Sequence, residues 1–253
     1  MSEAMGTQSG RLVREDGVDL AWQRLTGRGP TIVFLPGFRS DMEGSKAVRL
    51  AAFAATRGQA MLRLDYSGHG ASGGRFEDGT IGLWTEDARR LIDGLTEGPV
   101  LLVGSSMGGW IGLNIARAWP DRIAGFVGIA AAPDFTENLI WETMPETARA
   151  RLLAEGVVHT PSAYGDPLPI TRALIEDGRR HLCLGGPIPL RCPVRLLQGQ
   201  RDADVPWRTA LTIAERVESE DVQVILIKDG DHRLSREADL VALEDVVARC
   251  LPV

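Results

Sequence analysis

The stretch VLLVGSSMGGW, residues 100–110, ends an apolar run in two serines and three glycines. Within it, Gly104-Ser105-Ser106-Met107-Gly108 places glycine two residues before and two after Ser106, whereas Ser105 has Val103 and Met107 at those offsets. A serine at the end of a buried strand presents its hydroxyl only through a sharp strand-to-helix turn. That turn pushes its backbone toward φ > 0 and leaves no room for side chains at those offsets. Ser106 is therefore the expected nucleophile. The N-terminus of the following helix would add partial positive charge and free N–H groups beneath the reacting centre.

A serine hydroxyl is inert without a base, and the base needs an orienting carboxylate. On a strand–turn–helix scaffold of this kind the three follow in the order serine, acid, histidine. The chain has four histidines. His69 lies in a glycine-rich loop before the serine, and His159 and His181 lie in an interval of different character. His232, in Lys228-Asp229-Gly230-Asp231-His232-Arg233, follows the last strand run and precedes the final helix. A base must hang there to reach back over the sheet edge. For the acid, Asp202 and Asp204 compete in Gly199-Gln200-Arg201-Asp202-Ala203-Asp204-Val205-Pro206. Asp202 is favoured because it stands nearer the strand end and has a D-x-x-V-P spacing. Asp204 then belongs to the loop or caps the next helix, and Asp231 reads as solvated.

A tetrahedral intermediate needs two N–H donors. One is the amide of Met107, directly after the nucleophile. The other is expected from Phe38 in Leu35-Pro36-Gly37-Phe38-Arg39, where Gly37 lets the backbone come close. Arg39 could meet a substrate carboxylate or simply be solvated. Gly68-His69-Gly70-Ala71-Ser72-Gly73 matches the glycine pattern of dinucleotide sites, but the helical pattern starts only near Thr80. A pyrophosphate would have no helix N-terminus to sit on. The segment reads as a structural loop bordering the site.

These residues need a scaffold, and the apolar pattern supplies one. Arg11–Arg14 and Leu20–Leu25 flank the turn cluster Glu15-Asp16-Gly17, a hairpin signal. Short apolar runs then alternate with helical patterns: Ile32–Leu35, Met61–Leu64, Val100–Val103, Phe126–Ile129, Val194–Leu197 and Val222–Ile227. Such runs suit strands buried on both faces of a parallel sheet. Trp84, Ala88, Leu91, Ile92 and Leu95 mark one helix face, and Met107–Ala118 is apolar nearly all round. The expected fold is one doubly wound, mostly parallel α/β domain over residues 1–253 with an N-terminal antiparallel hairpin. From Asp134 to Pro189 no strand-like run appears, while helical fragments occur around Glu146–Glu155 and Thr171–Leu182. Residues 134–189 are expected to form a small helical cap, from which Leu152, Leu153 and Tyr164 could line a pocket or form the cap's own core.

The chain's 253 residues carry 28 Lys+Arg and 34 Asp+Glu, a net charge of −6. With no basic run, nucleic-acid binding has no electrostatic support. No stretch approaches the ~18 apolar residues of a membrane span. The N-terminal segment has neither an apolar signal region nor the acid-poor character of a transit peptide. Three scattered cysteines lack metal-ligand spacing and read as free thiols. We expect a cytoplasmic protein without a metal site.

The runs LPGFRSDMEGSKA, DYSGHGASGG, VGSSMGGW, PIPLRCPVRLLQGQRDADVPW and VILIKDGDHRLS together resemble the palmitoyl-protein thioesterase / mycophenolic acid acyl-glucuronide esterase branch of the α/β-hydrolases. The resemblance spans roughly residue 30 to residue 240. It implies the α/β-hydrolase fold with a small helical cap, and Ser106, Asp202 and His232 as nucleophile, acid and base. It also implies cleavage of acyl thioesters or esters without a cofactor, with a small-molecule or acylated-thiol substrate as the partner. Animal members carry a mitochondrial presequence, which this N-terminus does not resemble. An esterase or acyltransferase using the same residues, or a silent binding protein on the same scaffold, are the alternatives.

Overall fold

The computed structural model describes residues 6–162 and 165–252. The first strands, β1 (Thr7–Val13) and β2 (Asp19–Leu25), form the expected hairpin. Strands and helices then alternate: β3 (Arg28–Leu35), α1 (Ser45–Arg57), β4 (Gln59–Leu64), α2 (Ile81–Leu95), β5 (Val100–Ser105), α3 (Met107–Ala118) and β6 (Ile123–Ile129). Next come α4 (Glu146–Glu155), β7 (Val157–Ser162), β8 (Gly165–Thr171) and α5 (Arg172–Arg180). The alternation resumes with β9 (Val194–Gly199), α6 (Arg208–Arg216), β10 (Val222–Ile227) and α7 (Glu237–Cys250). Among the described residues no helix is long and apolar enough to cross a membrane.

Eight strands form one sheet in the order β1-β2-β4-β3-β5-β6-β9-β10, antiparallel through β1, β2 and β4 and parallel from β4 to β10. Helices α2, α3 and α6 cover one face and α1 and α7 the other, each with its own apolar cluster. Every residue of β5 and of β9 is buried, which is why their sequences do not alternate. The edge strand β10 differs from the sequence expectation, because none of its residues is fully buried. An edge strand is paired on one side only, yet its apolar run reads like that of a central one.

The interval between β6 and β9 also departs from the expectation. The helical fragments exist as α4 and α5, but between them β7 and β8 pair as a separate antiparallel hairpin. Its strands are short and carry Pro161, Pro167 and Pro169, which demote a run read from pattern alone. Met144, Leu152, Val158, Ile170 and Ile175 form a small core of their own under it. Asp134, at φ 60°, ties the base of this segment. Its carboxylate accepts the amides of Cys183 at 2.9 Å and Leu184 at 3.0 Å, at the far end of the segment.

Asp134→Ala leaves both amides without their acceptor, a cost of roughly 1–3 kcal/mol for each interior group so exposed. The expected outcome is faster amide hydrogen exchange across residues 136–182, with β5 and α3 still protected. Equal protection of the segment in variant and wild type would remove Asp134 from this role.

Candidate active site

The turn from β5 into α3 carries Ser106 at φ 51° and ψ −118°. A side chain at Gly104 would run into the backbone of Gly108, and one at Gly108 into the Leu35 carbonyl at the end of β3. Both glycines are thus required by close approach, one within the turn and one against the neighbouring strand. The first ten residues of α3 are all buried, so the helix that follows Ser106 is fixed in the core.

His232, in the loop after β10, brings Nε2 to 3.1 Å from Ser106 Oγ and Nδ1 to 2.8 Å from Asp202 Oδ2. A carboxylate only accepts, so Nδ1 carries the proton and Nε2 offers its lone pair to the serine hydroxyl. The Asp202 side chain is fully buried. Its Oδ2 also accepts from Gln198 Nε2 at 2.8 Å, and its Oδ1 from the amides of Asp204 at 2.9 Å and Val205 at 2.8 Å. Burial pushes this carboxyl up, but the hydrogen bonds from His232, Val205 and Asp204 and the nearby imidazole outweigh it, holding the pKa below the ordinary aspartate value.

Asp204, the competing acid, is exposed. Asp231 accepts the Leu234 amide at 3.0 Å and shapes the loop that carries His232. Asp202, Asp204 and His232 bring ligand-type atoms within 4.8 Å of one another, the one metal-like grouping among the described residues. Both nitrogens of His232 and both oxygens of Asp202 are already spent on the hydrogen bonds above.

Gly37 packs against the elbow so closely that an added Cβ would lie 3.4 Å from that of Ser106. The amides of Phe38 and Met107 make no other hydrogen bond among the described residues, and both residues line the cavity that holds Ser106. The Phe38 ring packs edge-on against Phe76, Trp84 and Phe135. Sequence reasoning missed what holds this loop. His69 is buried, with Nδ1 3.2 Å from the Ser67 carbonyl and Nε2 accepting the Arg39 amide at 3.2 Å. Its loop is the glycine-rich segment, which precedes α2 by several residues and has no helix at its third glycine, as its sequence indicates. Gln198 and Lys46 were missed too. Each lies within a run that carries the family resemblance, but its residue type and spacing do not reveal its contact, which is to Asp202 for Gln198 and to the Arg233 carbonyl for Lys46.

The cavity has a volume of about 810 Å³, within the usual range for small-molecule sites. Phe135, Leu139, Ile140, Leu168 and Ile170, all from the segment between β6 and β9, supply much of its apolar lining, beside Phe38, Met107 and Val205. Arg39 lines it as well, but Leu152 and Leu153 do not. Leu152 belongs to the segment's own core, and Leu153, on α4, is 51% exposed. Helix α4 buries a single residue, Leu152, beneath the hairpin and turns the rest outward. Tyr164 lies outside the described residues.

The alpha/beta hydrolase family pattern matches residues 32–245. The palmitoyl-protein thioesterase ABHD10, mitochondrial, of Homo sapiens is 40% identical over 234 residues, 92% of this chain and 76% of that protein. Among solved structures, alpha/beta hydrolase domain-containing protein 10 from mouse is similar with a TM-score of 0.88 at 38% identity, covering 96% of this chain and 97% of that one. A putative hydrolase from Agrobacterium vitis S4 is similar with a TM-score of 0.93 at 39% identity, covering 99% and 100%.

Burial lowers the His69 pKa from 6.5 to about 4, against the opposing pull of its hydrogen bond to the Ser67 carbonyl. Between those values the unfolded chain binds a proton that the folded chain refuses. Stability from this group is therefore fully present above about pH 6.5 and is lost as the pH falls toward 4, by roughly 3 kcal/mol in all. His69→Gln, which retains an acceptor but does not titrate, is expected to show a flatter Tm profile over that window. Parallel profiles would exclude His69 as the source.

Proposed function

The chain belongs to the alpha/beta hydrolase family, whose members are hydrolytic, and we propose that it is a serine hydrolase of acyl thioesters acting through Ser106, His232 and Asp202. The observation that carries this reading is the hydrogen-bonded line from Asp202 through His232 to Ser106, ending on a strained elbow at the wall of a half-apolar cavity. The name of the human relative, a palmitoyl-protein thioesterase, supports the choice of thioester.

In this mechanism Ser106 Oγ attacks the acyl carbonyl and its proton passes to His232 Nε2. The carbonyl electron pair moves onto oxygen, where the Phe38 and Met107 amides hold it. Asp202, kept ionised by its hydrogen bonds, orients the imidazole and stabilises the imidazolium. Collapse of the intermediate reforms the carbonyl and breaks the C–S bond. The departing thiolate takes the proton from His232, and water then repeats the sequence to release the acid and restore Ser106. Thiols, with a pKa near 8.5, ask little of the general acid in leaving. No metal or cofactor enters this route.

We read residues 134–189 as an insertion that caps the site, with its apolar lining residues receiving the acyl chain. The free thiols Cys183, Cys192 and Cys250 suit a reducing compartment. The cytoplasm, our reading from the sequence, is one such compartment, whereas the human relative is named mitochondrial.

The deciding measurement is kcat/KM for matched thioesters and oxygen esters from acetyl to palmitoyl, with Ser106→Ala as the blank. A rise toward long thioesters is expected. A fall beyond short chains, or a preference for oxygen esters, would replace this reading with a small-ester hydrolase. A fluorophosphonate probe is expected to label wild type and not Ser106→Ala; labelling that survives the change would sink the nucleophile assignment. Asp202→Asn is expected to lower kcat by roughly 10³–10⁴, by analogy with the loss of the orienting acid in serine proteases.

A further inference from the structure

Besides its apolar lining, the cavity wall carries Arg39, Lys46 and Arg233 against a single carboxylate, Asp204, among the described residues. Arg233 and Asp204 each have interaction partners of their own. Lys46 and Arg39 are the informative pair.

Lys46 sits in the first turn of α1 and donates to the Arg233 carbonyl at 2.6 Å, with Ser235 Oγ 3.4 Å away. No carboxylate of the described residues lies within ion-pair distance of it. Taking an ammonium out of water without a counter-charge is costly. Burial accordingly pushes its pKa down to about 8, despite the pull of the more distant Asp231 and Asp239 and with a further push from Arg233. Two of its three N–H groups have partners, and the third has none among the described residues. Arg39 is similar. One N–H reaches the Pro167 carbonyl at 3.5 Å and the guanidinium lies 5.7 Å from the Phe76 ring centroid, with no carboxylate partner. Arg14, Arg63 and Arg195, by contrast with Lys46, pair with Asp87, Glu43 and Asp221.

The position of this pair relative to the chemistry identifies what it would bind. His232 must hand a proton to the leaving group, so the leaving group lies beside His232. Lys46 is tethered to the carbonyl of the very next residue. The acyl chain, by contrast, is accommodated by the apolar lining. We propose that Lys46 and Arg39 form an anion subsite for the leaving group, and that the preferred substrate is an acyl thioester whose thiol carries a phosphate or a carboxylate. This rests on the assignment of Ser106 and His232 made above. Lys46, partly desolvated by the protein, gains more from a ligand anion than a hydrated cation does, because part of the desolvation cost falls on the folded protein beforehand, and Arg39 adds an exposed positive charge.

Two matched substrate pairs test it. Octanoyl thioesters of pantetheine and 4′-phosphopantetheine differ only by the phosphate; those of N-acetylcysteamine and N-acetylcysteine differ only by the carboxylate. The expected result is a kcat/KM ratio of at least about 10 in favour of the anionic member of one pair or both, shrinking with added salt. The pair that shows the ratio tells phosphate from carboxylate. Lys46→Gln and Arg39→Gln are each expected to bring the ratio toward 1, and a ratio cancels any general effect on the His232 loop. Ratios near 1 in wild type, or ratios unchanged in both variants, would overturn the subsite. Binding of the free thiols to the Ser106→Ala protein reads the subsite without chemistry. Tighter binding of the anionic thiol with no turnover of any thioester would uphold the subsite and reject the thioesterase reading, whereas turnover without discrimination would do the reverse.

Discussion

A non-glycine residue at φ 51° and ψ −118° is strained by roughly 1–3 kcal/mol, and Ser106 is held there by its surroundings. Its amide donates to the Ile129 carbonyl at 2.9 Å, and its carbonyl accepts from Gly109 at 2.9 Å and Ala132 at 3.1 Å. Those bonds tie the turn to the end of β6, while Gly108 sets it against the end of β3. The flanking strands β3 and β6 on either side of β5 are therefore as much a part of the site as the serine. Strain of this kind persists only where packing over-determines it. The fully buried β5 and the buried first ten residues of α3 provide that packing.

Around this elbow Asp202 and His69 have their side-chain polar atoms answered, whereas Lys46 lacks a counter-charge. Asp202 spends both oxygens, three bonds of its four coming from neighbours other than the histidine it orients. His69 presents one nitrogen as donor and the other as acceptor, and so fixes the backbone of the loop that supplies the Phe38 amide. Both residues work as rigid supports rather than as reacting groups. Lys46 links the start of α1 to the His232 loop through a carbonyl alone, which leaves its charge uncompensated inside the cavity wall.

The segment between β6 and β9 has a separate logic. It carries its own core, its own hairpin and an Asp134 tie at its base, and it contributes most of the cavity's apolar residues. A change in this one segment would alter much of the cavity lining while the sheet and the elbow stay constant. The same modularity explains why Leu152 does not line the cavity: in a small two-layer unit the apolar residues serve the unit's own core first, whereas Leu153 faces outward.

Much of this protein was legible in one dimension. The six strand runs, the two long helical faces and the elbow glycines follow from local periodicity and sterics, which depend on neighbours in sequence. The order of Ser106, Asp202 and His232 along the chain follows from where strands end. Other features had no local signature. The proline-interrupted pairing of β7 with β8, the exposure of β10 at the sheet edge, and the choice of Leu139, Ile140, Leu168 and Ile170 over Leu152 as cavity lining depend on which elements meet. So do the contacts of His69 with Arg39 across 30 residues and of Lys46 with Arg233 across 187. The sequence alone determined the strand order along the chain and the residues able to do chemistry. Tertiary structure decided which side chains support them, because hydrogen-bond partners and desolvation are properties of the packed interior and not of the local chain.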